Sequence, residues 1–459
     1  MSRHDVLIRG GEVVTSSGVV WADVAISDGV VAEVAPEIEG GARREIDASG
    51  LHVFPGLVDA HVHFSEPGRT HWEGFETGTR AFAAGGATTV FDMPLNAYPP
   101  TVDGESFDLK REAGERSALV DFALWGAIQP DNLERMEELA ERGVVGFKAF
   151  MSPSGTEDFR SVDDLDLYEG MVEAARLGLP VAVHAESAQI TGRLARRALS
   201  QLRISARDYA ESRPAIAELE AIGRAILFAG ETGCSLHIVH VTIGRGVDLV
   251  VDARRRGVDV SCETCAHYLA LTQEDLEELG AVAKCAPPLR PAQEREALWE
   301  RILDGRIPMV TSDHSPCPPE MKAGDDMFRV WGGISGGQST LNVLLTEGER
   351  RGLPLPTLAS VASEAAARRF GIPGKGGVEP GLDADLAVVD LGHRAVLREE
   401  DLFYRHRLSP YVGRELRGRV VHTLVRGMPV FSGGRVVAEP RGRLVRPGVR
   451  AETPVAGTG

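Results

Sequence analysis

The sequence predicts an α/β fold: a (β/α)8 TIM barrel over residues 57–370, with a small β-sandwich domain assembled from residues 1–56 and 371–459. Three observations predict it. Eight short β-rich runs alternate with amphipathic stretches through the middle of the chain, the pattern of parallel strands joined by crossover helices. Both ends instead carry β-rich runs split by Gly and Asp turn signals, with no helical period. Several of the central runs end in a metal-binding type of side chain, at the strand end where barrels carry their chemistry. A doubly wound open sheet is the alternative arrangement of the same alternation.

Residues 6–14, 24–26 and 31–34 open the chain as strands, and the same texture returns at 385–389, 420–425 and 430–431. These runs are expected to form one β-domain from the two termini. From about Arg441 the chain has little periodicity and is expected to be loose. The eight central strands are expected at 57–63, 88–93, 119–126, 144–151, 179–185, 235–241, 258–263 and 307–313. Amphipathic segments such as 132–142 and 215–229 lie between them.

At 459 residues there is chain enough for a large domain and a smaller one. A formal net charge of -17 argues against a nucleic-acid partner. No apolar stretch reaches the length of a membrane span. The opening Met1-Ser-Arg-His-Asp5 leads straight into strand-like sequence, so no secretory leader is expected. Five cysteines, an odd number scattered over a long chain, do not make a disulfide framework; a reducing cytoplasm fits best.

Strand one carries Asp59-Ala-His61-Val-His63. Side chains alternate along a strand, so His61 and His63 share a face. Taken alone, the pair reads as two half-buried histidines in a wall. Strand five ends in His184, strand six in His240 and strand eight in Asp313. Each polar group ends an apolar run where a core would place Val or Ile, and an unpaired polar group there carries a desolvation penalty. Five such groups at equivalent positions point to a metal centre. Strand four adds Lys148. A protonated lysine would repel metal ions. Two readings stay open on the residues alone: a wall lysine paired with a carboxylate, or a neutral amine that has captured CO2 as a carbamate.

This set resembles the amidohydrolase superfamily in its cyclic-amidase branch, which contains dihydroorotases, dihydropyrimidinases (hydantoinases) and allantoinases. The resemblance runs through nearly the whole chain. It implies that His61 and His63 bind one metal together with Asp313, that His184 and His240 bind a second, and that Lys148, as N6-carboxylysine, bridges the two. It therefore implies two divalent ions, with zinc favoured and Co, Mn or Fe also accommodated, and CO2 held as the lysine carbamate. It also implies the composite β-domain and a homo-oligomer, with a tetramer favoured. Hydroxide held between two cations is available at neutral pH, and Asp313 is then the natural general base for opening a cyclic amide.

Flanking residues discriminate within the branch. The positions by which dihydroorotases read a substrate carboxylate are occupied here by Ser65, Leu95, Ala286 and Cys317. An anionic ring would find no countercharge. The tyrosine that dihydropyrimidinases place five residues beyond the carboxylated lysine is Pro153. Allantoinases are similar in Glu66-Pro-Gly-Arg69-Thr70, in Trp72-Glu-Gly-Phe75, and in Asp92-Met-Pro-Leu-Asn96 followed by Pro99-Pro100-Thr101. They are also similar in Lys284-Cys-Ala-Pro-Pro288 and Trp331-Gly-Gly-Ile334. The resemblance thus implies a small neutral cyclic ureide as substrate, allantoin first, opened to allantoate in purine and ureide breakdown. Asn96 and Ser315 are the candidate substrate contacts; a turn-capping role for Asn96 is the alternative. A dihydropyrimidinase is the second reading. A non-catalytic scaffold, which would have lost metal ligands, is the third.

Other signals carry less. Cys262-Glu-Thr-Cys265 lacks a second pair and reads as packing. His267 reads equally as a donor behind the site or a capping residue. Cys285 and Cys317 are expected to flank the mouth. The glycine-rich 332–337 segment lacks the Lys-Ser/Thr of a phosphate loop and reads as a flexible lid. The arginines of 203–213 and 254–256 read as solvated faces.

Overall fold

The computed structural model describes residues 4–448. Between residues 57 and 311 short parallel strands alternate with helices. Leu57–Val62, Ala87–Asp92 and Asp121–Leu124 pair in parallel as one sheet. Gly126–Ala127, Phe147–Phe150, Val181–His184, Leu236–Ile238, Val260–Cys265 and Met309–Thr311 pair in parallel, in chain order, as a second. The sheets meet at both ends. Trp125 alone separates Asp121–Leu124 from Gly126–Ala127. At the other side Val62 bridges His314 in parallel, and the His63 N–H donates to the His314 carbonyl at 2.8 Å. This order is consistent with an eight-stranded barrel.

The strands stop short of the expected spans for a local reason. His240 and Asp313 have φ of 42° and 43°, the left-handed region, which no ladder continues through. The sixth and eighth strands therefore end at Ile238 and Thr311, and the functional side chains sit on the turns just beyond. The expected third strand, 119–126, is split into Asp121–Leu124 and Gly126–Ala127: the Trp125 N–H still donates to the Asp92 carbonyl at 3.1 Å, and the Gly126 N–H donates to the Gly146 carbonyl on the other side at 2.9 Å.

Helices fill the crossovers where polar residues cap amphipathic runs. Asp163 accepts from the Leu165 and Asp166 N–H groups to start Asp164–Leu177, and Gly178, at φ 70°, ends it. The expected 132–142 helix is a single 3-10 turn, Leu133–Arg135, followed by Met136–Arg142. The expected 215–229 helix is Ala215–Thr232. No helix among the described residues is long and apolar enough to cross a membrane.

Both chain ends share one nine-stranded sheet. His52–Pro55 joins them: Val53 stands opposite Val13 on the parallel side and Val388 on the antiparallel side. Alternate residues such as Ile8, Val24, Val53 and Leu424 bury in a common core on one face of this sheet. The described part of the tail is not loose as expected. Arg441 N–H donates to the Ala118 carbonyl, Leu444 bridges Phe122 of the third parallel strand in parallel, and Arg443 N–H donates to Asp121. The rest of the tail lies outside the described residues.

Candidate metal centre

The six candidate ligands converge from five strands. His61 Nε2 and His63 Nε2 lie 3.3 and 3.2 Å from the same oxygen of Asp313, and these three residues form one cluster with metal-ligand geometry. His184 Nδ1 and His240 Nε2 face each other at 3.0 Å. The rings of His61 and His240 lie 5.6 Å apart, which joins the two groups. Lys148 is fully buried among them, and its Nζ has no hydrogen-bond partner. A buried, unpartnered amine is costly unless something else satisfies it. His63, His184 and His240 line one cleft with Asp313, Asn96 and Ser315.

The electrostatics favour cation binding. Burial lowers the His61, His184 and His240 pKa values, and Lys148 lowers them further, so all three imidazoles are neutral and can donate lone pairs. Burial lowers the Lys148 amine to about 8 against the opposing pull of Glu263 and Asp313. A neutral amine is thus accessible near neutral pH, as CO2 capture requires. Burial would raise the Asp313 carboxyl, but His61 and His63 bring it to about 2, so it is an anion at neutral pH.

Buried carboxylates orient these rings from behind. Glu263 Oε1 takes His61 Nδ1 at 2.5 Å, and its other oxygen takes His237 Nε2 at 3.0 Å. Glu186 takes His184 Nε2 at 3.0 Å and is itself ion-paired to Arg213. For His61 and His184 the contact leaves the opposite ring nitrogen facing the cluster, the usual arrangement behind metal-binding histidines; His237 turns its other nitrogen to Ser261. Asp59 accepts from the backbone N–H groups of His61 and Ser312, which fixes the first strand against the eighth. His240, Asp313 and Asn96 all line the cleft with positive φ, and each such residue costs on the order of 1–2 kcal/mol.

Residues 52–436 match the amidohydrolase family. The chain belongs to that family. Among similar proteins, an allantoinase of Rubrobacter xylanophilus is 66% identical over 97% of this chain and 98% of its own length. An allantoinase of Deinococcus radiodurans is 52% identical over 96% of this chain and 99% of its own. Of solved structures, the L-hydantoinase (dihydropyrimidinase) of Arthrobacter aurescens superposes with a TM-score of 0.94. It is 36% identical, over 96% of this chain and 100% of that one. A D-hydantoinase (dihydropyrimidinase) from Thermus sp. gives a TM-score of 0.90 at 28% identity, over 96% of this chain and 99% of that one.

In this amidohydrolase the two candidate substrate contacts meet: Asn96 Nδ2 donates to Ser315 Oγ at 3.3 Å, and Asn96 Oδ1 is buried without a partner. Cys285 and Cys317 are buried and are not among the residues that line the cleft. The glycine-rich segment is pinned rather than loose: Trp331 Nε1 donates to the Ser315 carbonyl, and a Cβ on Gly333 would lie 2.4 Å from that same oxygen. Arg213 is a partly buried partner of the buried Glu186, not a solvated arginine. The sequence reading did not single out Glu186 or Glu263. Glu186 lies two residues past His184. Glu263 stands inside the Cys-x-x-Cys segment, and it is this carboxylate, not the flanking cysteines, that reaches His61 and His237.

Proposed function

We propose that this chain is an allantoinase that hydrolyses the hydantoin ring of allantoin to allantoate. One observation carries the reading: His61, His63, Lys148, His184, His240 and Asp313 converge in one buried cluster, in a chain whose relatives at 66 and 52% identity are allantoinases. His61, His63 and Asp313 would hold one divalent cation, and His184 and His240 a second. Lys148, as its carbamate, would bridge them: the neutral amine adds to CO2 and loses one proton. The donor set fits, because the buried Lys148 amine has no partner and His184 and His240 turn ring nitrogens toward one another at 3.0 Å. Four histidines beside carboxylates suit zinc, with Co, Mn or Fe also accommodated.

When bound, the cations lower the pKa of water and polarise a ring carbonyl. Asp313 takes the proton of the attacking water and delivers it to the leaving ring nitrogen. Asn96, with its free Oδ1, accepts from a ureide N–H, and Ser315 fixes the Asn96 amide. Glu263 and Glu186 hold the tautomers of His61 and His184.

The reading extends to the molecule. The parallel strands form a closed (β/α)8 barrel over 57–370, and the terminal sheet folds as a composite β-sandwich domain, 1–56 and 371–459. The enzyme is cytoplasmic and works as a homo-oligomer, with a tetramer favoured. The barrel and the composite domain draw support from the strand order, the bridge between Val62 and His314, and the sharing of one sheet by both termini.

The test is turnover of allantoin against dihydrouracil, with divalent metal and bicarbonate supplied. Allantoin is expected to be opened and dihydrouracil to be a poor substrate. The reverse preference would replace this reading with dihydropyrimidinase. Asp313→Asn is expected to retain at least one metal equivalent and to lose on the order of 100-fold or more in kcat; near-normal turnover would remove Asp313 from the proton path.

A further inference from the structure

The segment after strand one, Glu66-Pro-Gly-Arg69-Thr70 with Trp72, has no part in the metal cluster, yet its arginine ties together two loops beside the cleft, at Asn96–Ala97 and at Asp158. The Arg69 guanidinium forms a fork on Asp158, with Nη2 to Oδ1 at 2.8 Å and Nη1 to Oδ2 at 3.0 Å. Nη1 also donates to the carbonyls of Asn96 and Ala97 at 3.2 and 3.3 Å. The same cation lies over the rings of Trp72 and Tyr98, at 5.4 and 5.7 Å. Trp72 meets Trp331 edge to face at 4.8 Å.

Each of these links leads to a group on the cleft wall. Asn96 lines the cleft directly and has φ 69°, a conformation that needs outside support. Asp158 belongs to the loop carrying Pro153 and Ser154, where Ser154 Oγ donates to the Phe159 carbonyl at 2.6 Å. Trp331 lines the same cleft. Packing leaves no slack at the base: a Cβ on Gly68 would lie 2.2 Å from the Tyr98 carbonyl. The candidate metal ligands, by contrast, stand at strand ends and are held by Glu263, Glu186 and Asp59, none of which touches Arg69.

We propose that Arg69, through its fork with Asp158, is a positioning residue that sets the substrate-reading wall of the cleft without supporting the metal cluster. This rests on the allantoinase reading above. The groups it ties together face the parts of the ureide that do not react. Interactions of that kind appear in KM more than in kcat.

Arg69→Lys keeps the charge but loses the planar fork. It is expected to raise KM for allantoin about tenfold, with kcat changed by less than about threefold. Metal content per chain should equal that of the wild type. Asp158→Asn breaks the same pair from the other side and should give a similar split. The double variant should be no worse than the more affected single one, because both remove one interaction. A KM unchanged in both variants, effects that multiply in the double variant, or a fall in kcat that tracks metal loss would each overturn the assignment. Failure of both variants to fold would overturn it in favour of a structural role. A wild type that does not open allantoin would instead overturn the allantoinase reading, which keeps the two failures distinct.

Discussion

Glu263 orients two rings with one carboxylate, His61 through Oε1 and His237 through Oε2. Removing its charge while keeping its shape should loosen the metal rather than the fold. Glu263→Gln is expected to weaken metal affinity by about 10- to 100-fold, read by competition with a chelator. On the other side of the cluster, burial would raise the Glu186 carboxyl, but Arg213 and His184 hold it at about 2. Arg213→Met leaves that carboxylate buried and short of its countercharge. The expected cost is about 3–5 kcal/mol in denaturant unfolding; a loss below 1 kcal/mol would mean that Glu186 does not depend on Arg213. At this scale the sequence was informative where a residue type is rare in its setting. His61, His63, His184, His240 and Asp313 each end an apolar run, and that is visible in one dimension. Glu186 and Glu263 gain their meaning from partners across the cluster, 27 residues away for Arg213 and 202 for His61. No spacing rule finds those.

At the scale of elements, hydrophobic period located the strands and missed their ends. The run 235–241 reads as one β-rich stretch, yet the strand covers only Leu236–Ile238, because His240 takes a left-handed turn that apolar pattern does not encode. The terminal strands are longer than their β-rich centres, since neighbouring strands recruit polar residues into the ladder. The tail looked unstructured for lack of period, but its backbone N–H groups find partners on 118–122 and 371. One buried carboxylate anchors the N-terminal strands. Asp23 accepts from Gly10 N–H at 2.8 Å, Arg9 at 2.9 Å and Ile38 N–H at 3.1 Å. Burial raises its pKa, but these donors together outweigh burial and leave it lowered. A lowered carboxylate contributes stability above its unfolded value of about 3.9, and that contribution fades as pH falls through the lower folded value. Asp23→Asn is therefore expected to cost about 1–3 kcal/mol at pH 7 and progressively less below about pH 4. A penalty that does not change with pH would contradict the assignment.

At the scale of the whole molecule, the terminal sheet and the parallel strands are joined by a buried charge cluster. Lys375 Nζ donates to Asp121 on the third parallel strand and to Asp385 beside the terminal sheet, both at 2.6 Å, and Arg426 also pairs with Asp121. Desolvation opposes the Lys375 charge, but Asp385 and Asp121 hold its pKa above the ordinary lysine value. Lys375→Met should destabilise the protein by about 3–5 kcal/mol, because it strands carboxylates in the interior; a neutral effect in thermal and denaturant melts would show that the cluster is dispensable. The alternation of strands and helices made the α/β character legible from sequence. The joint did not show, because a lysine near a run of aspartates reads as surface until both are seen buried.

The central claim is that Lys148 carries a carbamate between two cations. It is tested most directly by 13C NMR of protein loaded with divalent metal and 13C-bicarbonate, alongside metal analysis. The account predicts about two metal equivalents per chain and one slowly exchanging carbamate signal. Both should be lost, together with allantoin turnover, in Lys148→Met. Fully metallated wild-type protein that opens allantoin at the usual rate while Lys148 remains a free amine would contradict it.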